Sequence, residues 1–252
     1  MNYLLVGFGK MGNAVREAAE RRGHTCRLAI DPASDENGIA RALTPDALTD
    51  VEVAFEFTEP AEAERNVVAL LEAGVPAVCG TTGWTPGDRV DAAARSGGVG
   101  AVIAPNFSVG MNLFYRVVEL TARLLGAAGQ HQPYVYEAHH RAKRDVPSGT
   151  ARKLARIVVD ADPRLREIGE GNPEQPMPDH VLHVASIRAG TEPGTHVVGF
   201  DGEYDRITLA HGARSRTAFA LGAVLAAEWV RGKAGVHGFG EVLRDLLERE
   251  SE

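Results

Sequence analysis

Cysteine is scarce in this 252-residue chain, which has only Cys26 and Cys79. They form no Cys-x-x-Cys pair. That excludes a thiolate zinc site and a disulfide framework, and it fits a reducing, cytoplasmic setting. Long apolar runs are also missing. The longest, Ala218 to Val230, is interrupted by Glu228 and is too short to span a bilayer. The chain opens directly into Tyr3-Leu4-Leu5-Val6, with no basic leader ahead of an apolar stretch and cleavage site. A soluble protein without a membrane partner is therefore expected. Positive charge is in deficit: 27 Lys and Arg stand against 34 Asp and Glu, a net charge of −7. A chain that acidic has no general field for phosphates, so nucleic acid is not an expected partner. Any bound anion must be held by a local basic patch. Internal repeats and low-complexity segments are absent too.

What is present is average globular material, 44% hydrophobic and 24% charged. A chain of this length buries a core without staples. The first hundred residues alternate between two textures. Short runs rich in Val, Ile, Phe and Ala (Tyr3–Val6, Val51–Phe57, Ala77–Cys79, Gly100–Ala104) suit strands buried on both faces. Between them, Lys10–Arg22, Ala61–Ala73 and Asp88–Arg95 carry apolar residues at helical spacing. This alternation predicts a doubly wound, Rossmann-type parallel sheet. After Pro105-Asn106-Phe107 the texture changes. A helix is predicted over Val109–Leu125, a strand over Pro133–Ala138, and a Ser148-capped helix to Asp160. Gly169–Pro178, with three prolines, reads as a loop. Val181–Ile187, Thr195–Phe200 and Asp205–Leu209 then follow as strands without intervening helices, which predicts a second, α+β domain on a mixed or antiparallel sheet. Helices are predicted over Ser215–Arg231 and Phe239–Arg249. The reading gives residues 1–107 with 217–252 to a dinucleotide-binding domain. Residues 108–216 form a domain for substrate and oligomerisation.

Gly7-Phe8-Gly9-Lys10-Met11-Gly12 fits the G-x-G-x-x-G fingerprint, between a predicted strand and a predicted helix. Gly7 allows the tight turn, Gly9 lets backbone approach a pyrophosphate, and Gly12 lets helix and strand pack closely. The N–H groups at the helix start then hold the pyrophosphate. Asp31 ends the second strand at the spacing of about 20 residues where an acid meets the ribose diol. Its charge repels a 2′-phosphate and favours NAD over NADP, while Lys10 adds a cation nearby. Gly80-Thr81-Thr82-Gly83 follows another buried strand, so it falls at the carboxyl edge of the sheet, where ligands bind. On this segment alone an ordinary strand-to-helix loop explains it equally well.

Residues 139–144 hold His139, His140, Arg141, Lys143 and Arg144, a cationic cluster on an acidic chain. Pro147-Ser148-Gly149-Thr150 then runs into a helix start, whose free N–H groups bind carboxylates or phosphates. One histidine of such a pair can give a proton while the other holds a ligand. A solvated charge run before a capped helix is the alternative.

With these residues in view, the chain resembles the dihydrodipicolinate reductase family over nearly its whole length. The resemblance rests on Gly7–Gly12, Phe57-Thr58, Gly80–Gly83, Asn106-Phe107-Ser108-Val109-Gly110, the Glu137–Ala151 run, and Arg188-Ala189-Gly190 with Gly194 and His196. It implies hydride transfer from NADH or NADPH to a small, doubly negative heterocycle, 4-hydroxy-tetrahydrodipicolinate, in lysine and diaminopimelate biosynthesis. It implies His139 as proton donor and acceptor, and Lys143 as a second proton donor. His140, Gly149 and Thr150 become substrate ligands, and Ser148 shares the turn that grips a carboxylate. The cofactor would contact Gly7, Phe8, Gly9, Lys10, Met11, Gly12 and Asp31. Gly80, Thr81 and Thr82 would line its nicotinamide end, with Ala104, Pro105, Asn106 and Phe107 as a further wall. Family members are usually homotetramers built through the second domain's sheet. The chain departs from the family near its last helix, where Gly238-Phe239-Gly240 replaces an Asp-containing turn.

No metal site is expected. His180 and His183 are three residues apart, but no Cys or acid completes a set. His196 and His211 sit in strand-like runs and read as satisfied polar groups. Arg188 reads equally as a carboxylate ligand or a structural ion pair. Two rivals remain at this level: an amino-acid dehydrogenase acting on an imine, and an NAD(H)-sensing protein without turnover. Neither needs the 139–150 cluster.

Overall fold

A computed structural model describes residues 1–249 except 35, 37 and 174; the side chain of residue 249 is also not described. The C-terminal stretch 250–252 and residue 174 of the proline-rich loop therefore lie outside the described residues. The chain divides into two compact units, Met1–Val109 with Arg216–Glu252, and Gly110–Ser215.

The first unit is a seven-stranded sheet in the order β12-β6-β5-β4-β1-β2-β3. Its strands are β1 (Asn2–Val6), β2 (Thr25–Ile30), β3 (Ile39–Ala40), β4 (Val53–Glu56), β5 (Ala77–Cys79), β6 (Gly100–Ile103) and β12 (Gly235–His237). Every pairing is parallel. The helices are α1 (Lys10–Arg21), α2 (Pro60–Glu72), α3 (Asp88–Gly97), α6 (Thr217–Val230) and α7 (Phe239–Arg249). Alternate residues of β1 explain the two-sided core. Tyr3 and Leu5 enter a cluster with Val15 of α1, Ala223 and Ala227 of α6 and Val242 of α7. Leu4 and Val6 enter the opposite cluster with Val67 and Leu71 of α2 and Val90 of α3. Such strands need to be apolar on both faces, as the sequence texture predicts. Pro60 opens α2 at a position where its missing N–H costs nothing, and Gly98 closes α3 in the left-handed conformation. The strand order reverses between β1 and β4. A dinucleotide binds at such a switch point, outside the carboxyl ends of the strands.

The second unit is a five-stranded sheet in the order β11-β10-β7-β9-β8. Its strands are β7 (His131–His139), β8 (Glu167–Glu170), β9 (Val181–Arg188), β10 (Thr195–Gly202) and β11 (Arg206–Gly212). The sheet is mixed as expected: β10 runs antiparallel to β7 and β11, while β7–β9 and β8–β9 are parallel. The helices α4 (Val109–Ala128) and α5 (Gly149–Ala161) share a core with Val135, Leu182 and Val198 of this sheet. On α5, Ala151, Leu154, Ala155 and Val158 form the buried stripe that its spacing predicts. One sequence expectation needs correcting. Gly169 and Glu170, assigned to the loop, belong to β8, where they align with His183 and Val184 of β9. Pairing to a neighbouring strand overrides a composition that reads as irregular.

Candidate active site

At the carboxyl edge of the first sheet, Gly7 leaves β1 with φ +93°. A Cβ at Gly7 would lie 2.2 Å from the Phe57 carbonyl oxygen, and one at Gly12 would lie 2.2 Å from the Gly7 carbonyl oxygen. Neither contact leaves room for a side chain. Gly9 caps α1, and no atom approaches its Cβ position within 4 Å, so its backbone is open to a ligand. Phe8 is buried, Met11 is half-buried, and Lys10 is exposed on the first turn of α1. Asp31 follows β2. Its Oδ2 accepts the Phe8 N–H at 2.9 Å and its Oδ1 accepts the Ala33 N–H at 2.9 Å. The acid is thus braced against the fingerprint turn, with lone pairs to spare. A glycine turn at a helix start with a braced acid fits a nucleotide diphosphate and ribose diol.

Two further loops share this edge. Gly80, Thr81 and Thr82 follow β5, with Thr81 buried and Thr82 exposed. Ala104, Pro105, Asn106 and Phe107 follow β6. The Ala104 N–H donates to the Cys79 carbonyl at 3.1 Å, and Asn106 Oδ1 accepts the Ser108 N–H at 2.8 Å. Pro105 is exposed, whereas Phe107 is buried with its ring 6.3 Å from Phe57 and 5.1 Å from Phe239. Trp84 donates Nε1–H to the Thr81 carbonyl at 3.0 Å, which anchors the loop.

The cationic cluster lies in the second unit, where β7 ends. Residues 131, 133, 135, 137 and 139 face the core, so Glu137 and His139 share a face. His139 Nδ1 pairs with Glu137 Oε2. Glu137 is fully buried, and its Oε1 accepts from Arg188 Nη2 at 2.7 Å and the Ser148 N–H at 3.1 Å. Burial opposes its ionisation, yet the hydrogen bonds from Arg188 and Ser148 outweigh that and hold the carboxyl at about 2. His139 is pushed down by burial first. The Glu137 charge opposes this, and Lys143 and Arg188 reinforce it.

His196 of β10 meets the same face. Its ring is 5.1 Å from His139 in an edge-to-face arrangement, and its Nε2 lies 3.2 Å from Ser148 Oγ. Burial, with the neighbouring His139 next, lowers its pKa to about 4, so it is neutral at pH 7. A Cβ at Gly194, where φ is +147°, would lie 2.9 Å from His139 Nε2. Glycine there keeps the Nε2 edge of the ring clear.

Ser148 Oγ also accepts the Ala151 N–H at 3.2 Å and caps α5. Ser148→Ala should cost about 1 kcal/mol of stability, read as a lower urea midpoint at unchanged m-value. An unchanged midpoint contradicts the capping role.

Lys143 Nζ pairs with Asp145 Oδ1 at 2.8 Å, and the Lys143 N–H donates to the His140 carbonyl at 3.1 Å. Hydrogen bonding from Lys143 lowers the Asp145 pKa against burial, with help from the Gly149 N–H. The chain's own carboxylate thus rests on the cation that the sequence assigned to a substrate. Burial raises the hydroxyl pKa of Tyr115 on α4, and the Thr150 side chain opposes that rise. His140 is half-buried, while Arg141 and Arg144 are exposed.

The structure brings His139, Lys143, Ser148, Gly149 and Thr150 together at the end of β7 and the start of α5. The fingerprint, Asp31, Gly80–Thr82 and Ala104–Phe107 gather at the edge of the other unit. The sequence reading gave no role to Glu137 and took His196 for a satisfied polar group. Strand alternation was a signal for Glu137; His196 depends on cross-strand register. Of its two readings, Arg188 takes the ion pair. Glu137, His139 and His196 also bring three metal-type donor atoms within 4.8 Å of one another. The carboxylate already has a cation in Arg188, which competes with a metal ion for it. His183 Nε2 is bound to the Gly171 carbonyl at 2.6 Å, and His180 lies 3.8 Å from Glu167.

Residues 1–107 match the family described as dihydrodipicolinate reductase, N-terminus, and residues 110–243 match its C-terminus. The chain belongs to the dihydrodipicolinate reductase family. The 4-hydroxy-tetrahydrodipicolinate reductase of Archaeoglobus fulgidus is 36% identical over 258 residues, covering 95% of this chain and 96% of that protein. The enzyme of the same name from Christiangramia forsetii is 30% identical over 250 residues, covering 98% and 99%. The solved dipicolinate-bound dihydrodipicolinate reductase from Paenisporosarcina sp. TG-14 superposes with a TM-score of 0.77 at 22% identity, covering 94% of this chain and 97% of that one. At that identity the superposition supports the fold. The family and its Rossmann-type unit imply a pyridine nucleotide cofactor. No helix among the described residues is long and apolar enough to cross a membrane.

Proposed function

We propose that this chain reduces 4-hydroxy-tetrahydrodipicolinate to tetrahydrodipicolinate in the diaminopimelate route to lysine. The first unit holds the nucleotide and the second the substrate. Overall, the substrate, a reduced nucleotide and a proton give tetrahydrodipicolinate, the oxidised nucleotide and water. When bound, the nucleotide supplies the hydride. The chain's own residues supply orientation, charge and the proton.

The observation that carries this reading is the Asp145 carboxylate paired with Lys143 just ahead of the start of α5. That arrangement accepts a carboxylate, and the substrate has two. Ser148, Gly149 and Thr150 grip one of them, His140 with its basic neighbours grips the other, and Lys143 offers charge and a proton beside the ring. His139 gives a proton from Nε2 while Glu137 holds its Nδ1–H. Its lowered pKa makes the protonated ring a stronger acid. The name of the dipicolinate-bound neighbour supports a ligand of this shape. Exposed Tyr136 and Ile187 share one face of the second sheet and support assembly into a homotetramer.

Mixing the protein with NADH and freshly made 4-hydroxy-tetrahydrodipicolinate should abolish the reduced-nicotinamide absorbance. Folded, cofactor-bound protein that leaves it unchanged favours the sensor instead. Asp31, braced beside the fingerprint, favours NADH over NADPH through repulsion of the 2′-phosphate. Calorimetric titration should give the lower Kd for NADH. Tighter NADPH binding contradicts that role for Asp31.

A further inference from the structure

Glu56 is the last residue of β4, beside the point where the strand order reverses, and it is fully buried. Its partners among the described residues are all neutral donors. Thr58 Oγ1 donates to Oε1, and Thr81 Oγ1 donates to Oε2 at 2.6 Å. Cys79 Sγ lies 3.0 Å from Oε2, and Asn66 Nδ2 lies 3.4 Å from Oε1. The Thr58 N–H donates to Thr81 Oγ1 at 2.8 Å, which closes the network. Two loops that are far apart in sequence thus converge on one carboxylate.

The backbone around this network has no slack. Cβ positions at Gly7 and Gly80 would lie 2.2 Å from the Phe57 carbonyl oxygen and 2.1 Å from the Phe57 ring, respectively. Phe57-Thr58 is therefore packed between the fingerprint turn and the Gly80-Thr81 loop. A shift at Glu56 moves a loop on either side.

We propose that Glu56 is a positioning residue for the nicotinamide half of the cofactor, acting through Thr58 and Thr81. This rests on the reductase reading above. Asp31 takes the adenosine side of the switch point, so the other half of a dinucleotide extends over the ends of β4 and β5, where these threonines lie. Both carboxyl oxygens are acceptors for the threonine hydroxyls. Both hydroxyl protons are consequently turned inward, and with the Thr58 N–H on Thr81 Oγ1 and Asn66 Nδ2 at 3.5 Å from Thr58 Oγ1, each threonine oxygen keeps one lone pair. These lone pairs suit the N–H₂ of a carboxamide or the hydroxyls of a ribose. Glutamine at this position would bring a donor to one hydroxyl and reverse its polarity at nearly unchanged volume.

The test compares NADH with ADP-ribose, which lacks the nicotinamide, in wild type and Glu56→Gln. The Kd for NADH should rise about tenfold, the scale of one misdirected hydrogen bond, while that for ADP-ribose stays within about twofold. Equal losses for both ligands would mean that the carboxylate only stabilises the fold. No loss for NADH would mean that it does not act on the cofactor. Either result overturns the proposal. Thr81→Val is the second variant and carries the test alone if Glu56→Gln does not fold. It removes the donor and leaves the carboxylate, and it should show the same split between ligands. Where both fold, the double variant should lose little beyond either single one, and additive losses overturn the coupling. Wild-type protein that fails to bind NADH sinks the reductase reading itself, a result separable from all of these.

Discussion

His139→Gln lowers kcat by about 10²- to 10⁴-fold, the usual contribution of a general acid or base, with the fold and NADH affinity retained. Glutamine keeps a polar group of similar reach but cannot cycle a proton near neutral pH. The shape of the pH profile is the sharper test. Burial pulls the His139 pKa below its ordinary 6.5, so the protonated fraction falls away as pH rises past a value under 6.5. Wild-type kcat/KM should decline on that alkaline side, and the same limb should vanish in the variant. A variant with near-normal kcat, or a limb that persists unchanged, removes His139 from the chemistry. Lys143→Ala should also be slow, but with a raised KM, because it loses a carboxylate contact as well as a charge.

Arg188→Met should destabilise the protein at pH 7 by about 3–5 kcal/mol, the cost of leaving a buried partner charge uncompensated. Arg188 also donates to the Asp145 carbonyl at 2.7 Å, so the 140–148 loop loosens and activity falls too. The pH dependence follows from Glu137, whose carboxyl drops from an ordinary 4.5 to about 2 on folding. A depressed carboxyl stabilises the fold above its unfolded value, and this is lost as pH falls through the folded one. At about 1.4 kcal/mol per unit, that is about 3 kcal/mol, lost between pH 4.5 and 2. Without the guanidinium, burial raises the Glu137 pKa, and its penalty is relieved as pH drops. The stability gap between the two proteins should therefore narrow from pH 7 to pH 3 in urea unfolding. A gap constant across that range would show that Arg188 acts through packing alone.

Periodic elements were legible from the residues. Two-sided apolar runs marked β1, β4, β5 and β6, and Ser148 marked the start of α5, because local spacing and side-chain chemistry suffice for each. β3, of two residues, carries too little pattern. β8, Glu-Ile-Gly-Glu, exists because β9 supplies a partner. The site divides in the same way. Glu137 was within reach of strand alternation, two residues from His139 on one face. His196 reaches that site because the β7–β10 register places it opposite Glu137, and Glu56 reaches Thr81 through the pairing of β4 with β5. Register between distant strands is set by packing, and a single chain read in order does not display it.

Asp145 sits on Lys143 within the protein's own loop. On the reductase reading, capture of substrate is an exchange of one anion for another at a cation that is never bare. Much of the counterion release that ordinarily accompanies anion binding has then already taken place during folding. Affinity for the doubly negative ligand should respond to salt less steeply than its charge alone would suggest, and the loop is ready to retake its place as product departs.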